Sequence, residues 1–203
     1  LLTQVPYSSE FINGGINTAY SVFADATWIP VPSLEVTVGA RYVWEDRKST
    51  YFARVPRPAL NPAAFSLIPG QVDTAGKTFE ASDKSNAFLP RFNVLYRLSD
   101  STNVFATISK GRRSPVVQLS AARVAGVSQP NLQLVPEETV WNYEVGLKGA
   151  VGPVSGSLGV YYQKYDGFQV SVVQPDATTR TQSAGTATNL GVEAEIAIRA
   201  ADW

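Results

Sequence analysis

Glu193 and Glu195 stand two apart in Asn189-Leu190-Gly191-Val192-Glu193-Ala194-Glu195, so a strand would set both carboxylates on one face. Paired carboxylates are the one arrangement here that could do general acid–base work, as in glycoside hydrolysis. Nothing near them in the sequence supplies a substrate site. The 203 residues contain no histidine, cysteine or methionine. Ser-His and Cys-His nucleophiles, thiolate chemistry, disulfides and zinc fingers are therefore excluded within this chain, and neither a cofactor nor a metal site is expected. A second cluster, Lys110, Arg112 and Arg113, is cationic and suits attraction of an anionic ligand, contact with acidic lipopolysaccharide, or plain solvation. The chemistry on offer is binding, and no enzyme activity is expected.

The elements that would position these residues are strands. Several segments alternate apolar and polar residues at period two, which gives a strand two unlike faces. Leu34, Val36, Val38, Ala40, Tyr42 and Trp44 share one face, and Glu35, Thr37, Gly39, Arg41 and Glu45 the other. The same pattern predicts seven strands near 18–29, 34–46, 86–98, 102–113, 138–149, 154–166 and 186–199. No apolar run approaches the ~20 residues of a transmembrane helix.

Connections alternate between tight and long. Pro30–Ser33, Ser99–Ser101 and Ala150–Pro153 are tight, whereas 47–85, 114–137 and 167–185 are long. Loops of that length are uncommon in soluble domains, where about 4–6 residues is usual. Transmembrane barrels place short periplasmic turns at one end and long extracellular loops at the other. An antiparallel up-and-down transmembrane β-barrel segment fits both features. On that reading Trp28, Tyr42, Trp44, Trp141, Tyr143 and Trp203 lie at the membrane interfaces, in lipid contact. Arg41, Glu45, Arg91, Arg97, Glu144, Lys148, Glu193, Glu195 and Arg199 face the lumen. A soluble β-sandwich uses the same alternation the other way round, with Val36, Val38, Leu147, Val192 and Ile196 against a second sheet.

Composition narrows the partners. Basic and acidic residues both number 17, so net charge is zero; a nucleic-acid binder usually carries a basic excess, and no nucleic-acid partner is expected. Charged residues are 17 % and aromatics 11 % of the chain, a surface suited to lipid as well as water. Pro90 sits inside a predicted strand, where it removes a ladder donor. The segment from Pro56 to Pro69 carries four prolines and reads as an irregular excursion.

Five stretches in order resemble the TonB-dependent outer-membrane receptor family. They are Leu89-Pro90-Arg91-Phe92-Asn93-Val94-Leu95-Tyr96; Val104 to Arg113; Pro136-Glu137-Glu138-Thr139-Val140-Trp141-Asn142-Tyr143-Glu144-Val145-Gly146-Leu147-Lys148-Gly149; Tyr161 to Phe168; and Asn189 to Glu195. The resemblance spans roughly residues 18–200. It implies a barrel of about 22 strands, of which this chain (1–203) would be a partial excerpt without plug, TonB box or final strand. It further implies active uptake across the outer membrane of a Gram-negative bacterium. The cargo class would be siderophore-iron, cobalamin, haem or oligosaccharide, and the TonB complex would act through the plug. Lys110, Arg112, Arg113 and Tyr165 are then candidate extracellular ligand contacts, and the inward charges candidate plug contacts. A passive channel or structural barrel is the alternative function.

Overall fold

A computed structural model describes residues 9–55, 71–174 and 179–200. Eleven strands are present among them: β1 (Glu10–Val31), β2 (Leu34–Arg54), β3 (Phe79–Ser99), β4 (Thr102–Arg113), β5 (Val116–Val124), β6 (Val127–Val135), β7 (Glu138–Val151), β8 (Val154–Asp166), β9 (Gln169–Val173), β10 (Thr179–Ser183) and β11 (Thr186–Ile198). Seven form one antiparallel sheet in the order β1-β2-β3-β4-β7-β8-β11, and β5–β6 and β9–β10 are separate two-stranded hairpins. The sheet does not close: β1 and β11 are its two edges.

Register fixes the faces. One row crosses all seven strands through Trp28, Val36, Val94, Ala106, Val145, Val160 and Val192. A neighbouring row on the opposite face runs through Asp25, Gly39, Arg91, Ser109, Asn142, Gln163 and Asn189. Because side chains alternate, a slip of one residue on any strand would mix these rows. The polar rows also hydrogen-bond laterally. Thr27 meets Thr37 at 2.9 Å, Asn93 Nδ2 donates to Thr107 Oγ1 at 2.7 Å, and Gln163 Nε2 donates to Asn142 Oδ1 at 3.2 Å.

The apolar face is uncovered. Val38, Leu147, Val192 and Ile196 all lie on it and are exposed. A sandwich would have packed them against a second sheet, so that reading is overturned: the main sheet is a single layer, greasy on one side and hydrogen-bonded on the other.

Three strand limits and two loops differ from the sequence expectation. β1 starts at Glu10 rather than 18, β2 runs to Arg54 rather than 46, and β3 begins at Phe79 rather than 86. On β1 the outward Ile12 and Ile16 keep the apolar sense and Gly14-Gly15 interrupts the alternation between them, whereas on β2 and β3 the reason is an inversion of pattern. Beyond Trp44 the outward positions turn polar, as in Asp46, Lys48 and Lys84, while the inward ones turn apolar at Tyr51, Ala53 and Phe79. A search for one continuous apolar face stops where that inversion begins. The expected loops 114–137 and 167–185 are mostly the hairpins β5–β6 and β9–β10. The first turns on Ala125 (φ 48°) and Gly126 (φ 80°), the two positive values that a tight two-residue hairpin requires. The Pro56–Pro69 excursion lies outside the described residues, as does Trp203.

The inward apolar residues exist to hold hairpin β5–β6. Ala121 packs with Tyr51, Ala53 and Phe79, flanked by Leu119 and Val72. Burial holds the Tyr51 phenol pKa above its ordinary value. Thr74, fully buried, ties the returning segment to the end of β2: its N–H donates to Ala53 O at 2.9 Å, and its Oγ1 donates to the same carbonyl at 3.1 Å. Phe79→Ala removes one of the two rings packed with Ala121 and is expected to cost about 3 kcal/mol locally. Hydrogen exchange of the full-length protein should then quicken at 116–124 while β7 and β8 remain protected.

Candidate polar face and hairpin-roofed cavity

Four donors converge on one carboxylate where β2 leaves the apolar band. Glu45 Oε1 accepts from Asn17 Nδ2 at 2.7 Å and Arg47 Nη2 at 2.9 Å. Its Oε2 accepts from Arg112 Nη2 and Ser114 Oγ, both at 2.6 Å. Every lone-pair position of the carboxylate is therefore used. Arg112 also reaches Glu137 Oε2 at 3.2 Å, and Arg47 donates to the Pro115 carbonyl. Two arginines thus face two glutamates, and the side chains of Glu45 and Arg112 are only 5 % and 6 % exposed. The knot joins β1, β2 and β4 to the root of hairpin β5–β6.

Arg112 reaches this knot although its parity matches Ile108 on the apolar face. The β3–β4 ladder ends at Arg91–Ser109, and the next residue of β3 is Pro90, which carries no N–H. Above that point β4 pairs with β7 alone, as far as Arg113–Glu138. Pro90 is thereby accounted for: it marks where the two strands part.

The other inward charges are distributed along the polar face rather than gathered. Arg91 pairs with Asp25 at 3.1 Å, across Gly39, which lies between them on β2. Arg97 pairs with Glu35 and donates to Pro32 O at 3.0 Å, clamping the β1–β2 turn. Arg41 lies 5.4 Å from the Phe23 ring centre and Lys148 5.6 Å from that of Phe105. Glu144 is half-buried between Thr107 and Tyr161 in its row. Glu193 and Glu195 are exposed on the edge strand β11, with Arg199 exposed just beyond it. Glu195 lines a shallow hollow of about 360 Å³ with Asn103, Lys148 and Ser157, and Glu193 is not part of that lining.

The expected ligand contacts separate. Lys110 pairs with Trp141 in register and lies on the apolar face, away from the polar one. Arg112 is consumed by the Glu45 knot. Arg113 remains exposed, with its Nη1 3.5 Å from Gln169 O. Tyr165 is inward, donating to Gln163 Oε1 at 3.0 Å and meeting Phe168 edge-on at 5.4 Å. Trp28, Tyr42, Trp44, Trp141 and Tyr143 all lie on the apolar face. Tyr42 and Trp44 are 4.6 Å apart, Trp141 and Tyr143 6.4 Å, and Tyr143 continues to Tyr162 at 6.2 Å.

What the sequence reading missed is a cavity. Hairpin β5–β6 packs against the upper inner side of β2 and β3 and leaves, with the start of β1, an open cavity of about 950 Å³, lined by Asn13, Tyr51, Gln118, Arg123, Asn131 and Arg180 among others. Gln118 fastens the two hairpins together: its Nε2 donates to Thr181 O at 2.7 Å, and its Oε1 accepts from Thr181 N at 3.2 Å. Gln169 at the start of β9 ties both feet of hairpin β5–β6, donating to Ser114 O at 3.1 Å and Pro136 O at 2.8 Å. Amides, one phenol and the guanidinium groups of Arg123 and Arg180 suit a polar or anionic ligand of moderate size.

A family model described as "TonB dependent receptor-like, beta-barrel" matches residues 2–203. The chain belongs to the TonB-dependent receptor β-barrel family. Solved receptors share its fold. The ferric yersiniabactin uptake receptor FyuA from Yersinia pestis matches with TM-score 0.63 at 19 % identity, covering 94 % of this chain and 26 % of that one. The ferric-catecholate import receptor Fiu from E. coli K12 matches with TM-score 0.60 at 15 % identity, over 93 % of this chain and 26 % of its own. The alcaligin outer membrane receptor FauA from Bordetella pertussis gives 0.53 at 17 % identity, over 93 % and 28 %. The chain therefore spans about a quarter of the length of these receptors, and its open sheet corresponds to part of the β-barrel that its family model describes.

Removing Glu45 leaves Arg112 buried with half its partners. Glu45→Ala is expected to destabilise the full-length receptor by about 3 kcal/mol, as loss of one member of a buried pair does. Adding Arg112→Ala should return part of that loss. A double-mutant cycle from denaturant unfolding measures the coupling, and additive losses would show that the two side chains act independently.

Proposed function

We propose that this chain forms wall and extracellular loops of an outer-membrane receptor that takes up a scarce nutrient with energy from TonB, and that its cargo is of the ferric-siderophore class. The observation that carries this reading is the pairing of an uncovered apolar face with a polar face roofed at one end by two tied hairpins. An exposed apolar band is stable where hydrocarbon covers it. A hydrogen-bonded inner wall is stable against water or a plug. The cavity under hairpin β5–β6 supports a ligand role for that end, with Arg123, Gln118 and Asn131 as contacts. Siderophore cargo is supported by what the structurally similar receptors are named for, at identities that by themselves carry only the fold.

On this reading the protein is a transporter without a catalytic step. Binding energy comes from several polar contacts at the cavity, and the inward charges Arg41, Glu144, Lys148, Glu193, Glu195 and Arg199 are available to a plug. Cobalamin, haem and oligosaccharide are alternative cargoes. A passive channel is the alternative mechanism.

Orientation is tested by nitroxide labels on single cysteines in the full-length receptor in liposomes, with any other cysteine replaced. Val145→Cys and Val160→Cys are expected to relax with oxygen, and Asn142→Cys with a water-soluble nickel complex. The reverse pattern would overturn the membrane reading. Transport is tested by uptake of labelled ferric siderophores into cells lacking their own receptors. Uptake should vanish without TonB, and Arg123→Ala should weaken cargo binding by about tenfold, the worth of one charge-assisted hydrogen bond. Uptake that persists without TonB would favour the passive channel.

A further inference from the structure

The apolar face carries more than grease. Toward the upper end the outward positions hold lysines: Lys48 on β2 and Lys84 on β3 beyond Trp44, and Lys110 on β4 and Lys164 on β8 level with Trp141. The inner wall carries arginines at Arg41, Arg91 and Arg97, with Lys148 as a lysine on that face. Two of the outward lysines are set in one row. Lys110 pairs in register with Trp141, and Trp141 with Lys164, so an indole stands between two ammonium groups on flanking strands. Strands two apart in a sheet are roughly 10 Å apart, a span that two lysine side chains close over a single group.

Directly beside this row the apolar wall is hollowed. Ala24 and Ala40 are small, Pro90 marks the parting of β3 from β4, and Phe88, Phe92 and Trp141 rise around them to leave about 440 Å³. An uncovered apolar notch beside a bracket of cations is complementary to an acyl chain attached to a phosphorylated head.

We propose that Lys110, Trp141 and Lys164 form a specific docking site for a phosphorylated, multiply acylated lipid of the surrounding leaflet, with its phosphate between the two lysines and one acyl chain in the hollow. The site rests on the reading of this face as lipid-facing and goes beyond it by assigning a lipid chemistry and three residues. Asp166 lies 4.0 Å from Lys164 on the same strand, and both are about half exposed. Such an exposed pair is weak and yields to a doubly charged phosphate. Lys110 has no ion pair among the described residues. The indole supplies an apolar body and an N–H at the height where chains give way to headgroups.

The test uses the full-length receptor in detergent, titrated in native mass spectrometry with bisphosphorylated hexa-acylated lipid A and with the same lipid stripped of phosphate. The unaltered receptor should bind the phosphorylated form about tenfold more tightly, the order expected of two surface lysines. K110Q/K164Q should erase that preference, whereas K148Q, a lysine removed from the opposite face, should keep it. Equal binding of the two lipids, a preference retained in the double variant, or an equal loss in K148Q would each overturn the proposal. The Val145 label separates the two levels. If it reports hydrocarbon while the phosphate preference is absent, this site fails and the lipid-facing reading stands. If it reports water, the lipid-facing reading fails and the docking site falls with it.

Discussion

Everything in this structure depends on backbone pairing that holds each strand in register with the next. Seven strands are locked antiparallel, and alternation of side chains then sorts the residues into two faces without further instruction. The polar rows reinforce the lock through side-chain hydrogen bonds such as Asn93 to Thr107 and Gln163 to Asn142. The apolar rows need no partner within the chain. Each face is satisfied by a different medium, and a shift by one residue would expose both to the wrong one.

The same alternation also builds the upper end, with its sense reversed. Outward Lys48 and Lys84 meet water there, and inward Tyr51, Ala53 and Phe79 meet a hairpin. The point of reversal lies just past Trp44, where the Glu45 knot ties three wall strands to the hairpin root. Burial of that charge is sustained because four donors and a second arginine–glutamate contact leave no lone pair unmet.

Much of this was readable beforehand. The seven wall strands and both of their faces follow from period two, because Leu34 to Trp44 or Trp141 to Leu147 admits only one sorting. The tight turns follow from Ser99-Asp100 and Gly152-Pro153. Hairpin β5–β6 was not readable: Val116-Val117-Gln118-Leu119-Ser120-Ala121-Ala122 does not alternate cleanly, and Ala125-Gly126 lacks the usual Asn-Gly signal. The fate of Arg112 was hidden for a different reason. Its parity assigns it outward, and only the break in the ladder beside Pro90 lets it turn to Glu45. Parity arguments hold within a continuous ladder and fail at its end. The cavity, built from residues more than a hundred positions apart, has no local signature at all.

Inner rings lie over neighbouring glycines instead of standing up. A Cβ added at Gly146 would fall 2.5 Å from the Phe105 ring, and one at Gly191 would fall 2.4 Å from that of Tyr161. The wall consequently has low relief where a bulkier neighbour would have forced each ring upright. A body resting against that stretch would meet flat rings and find no protruding teeth to interlock with.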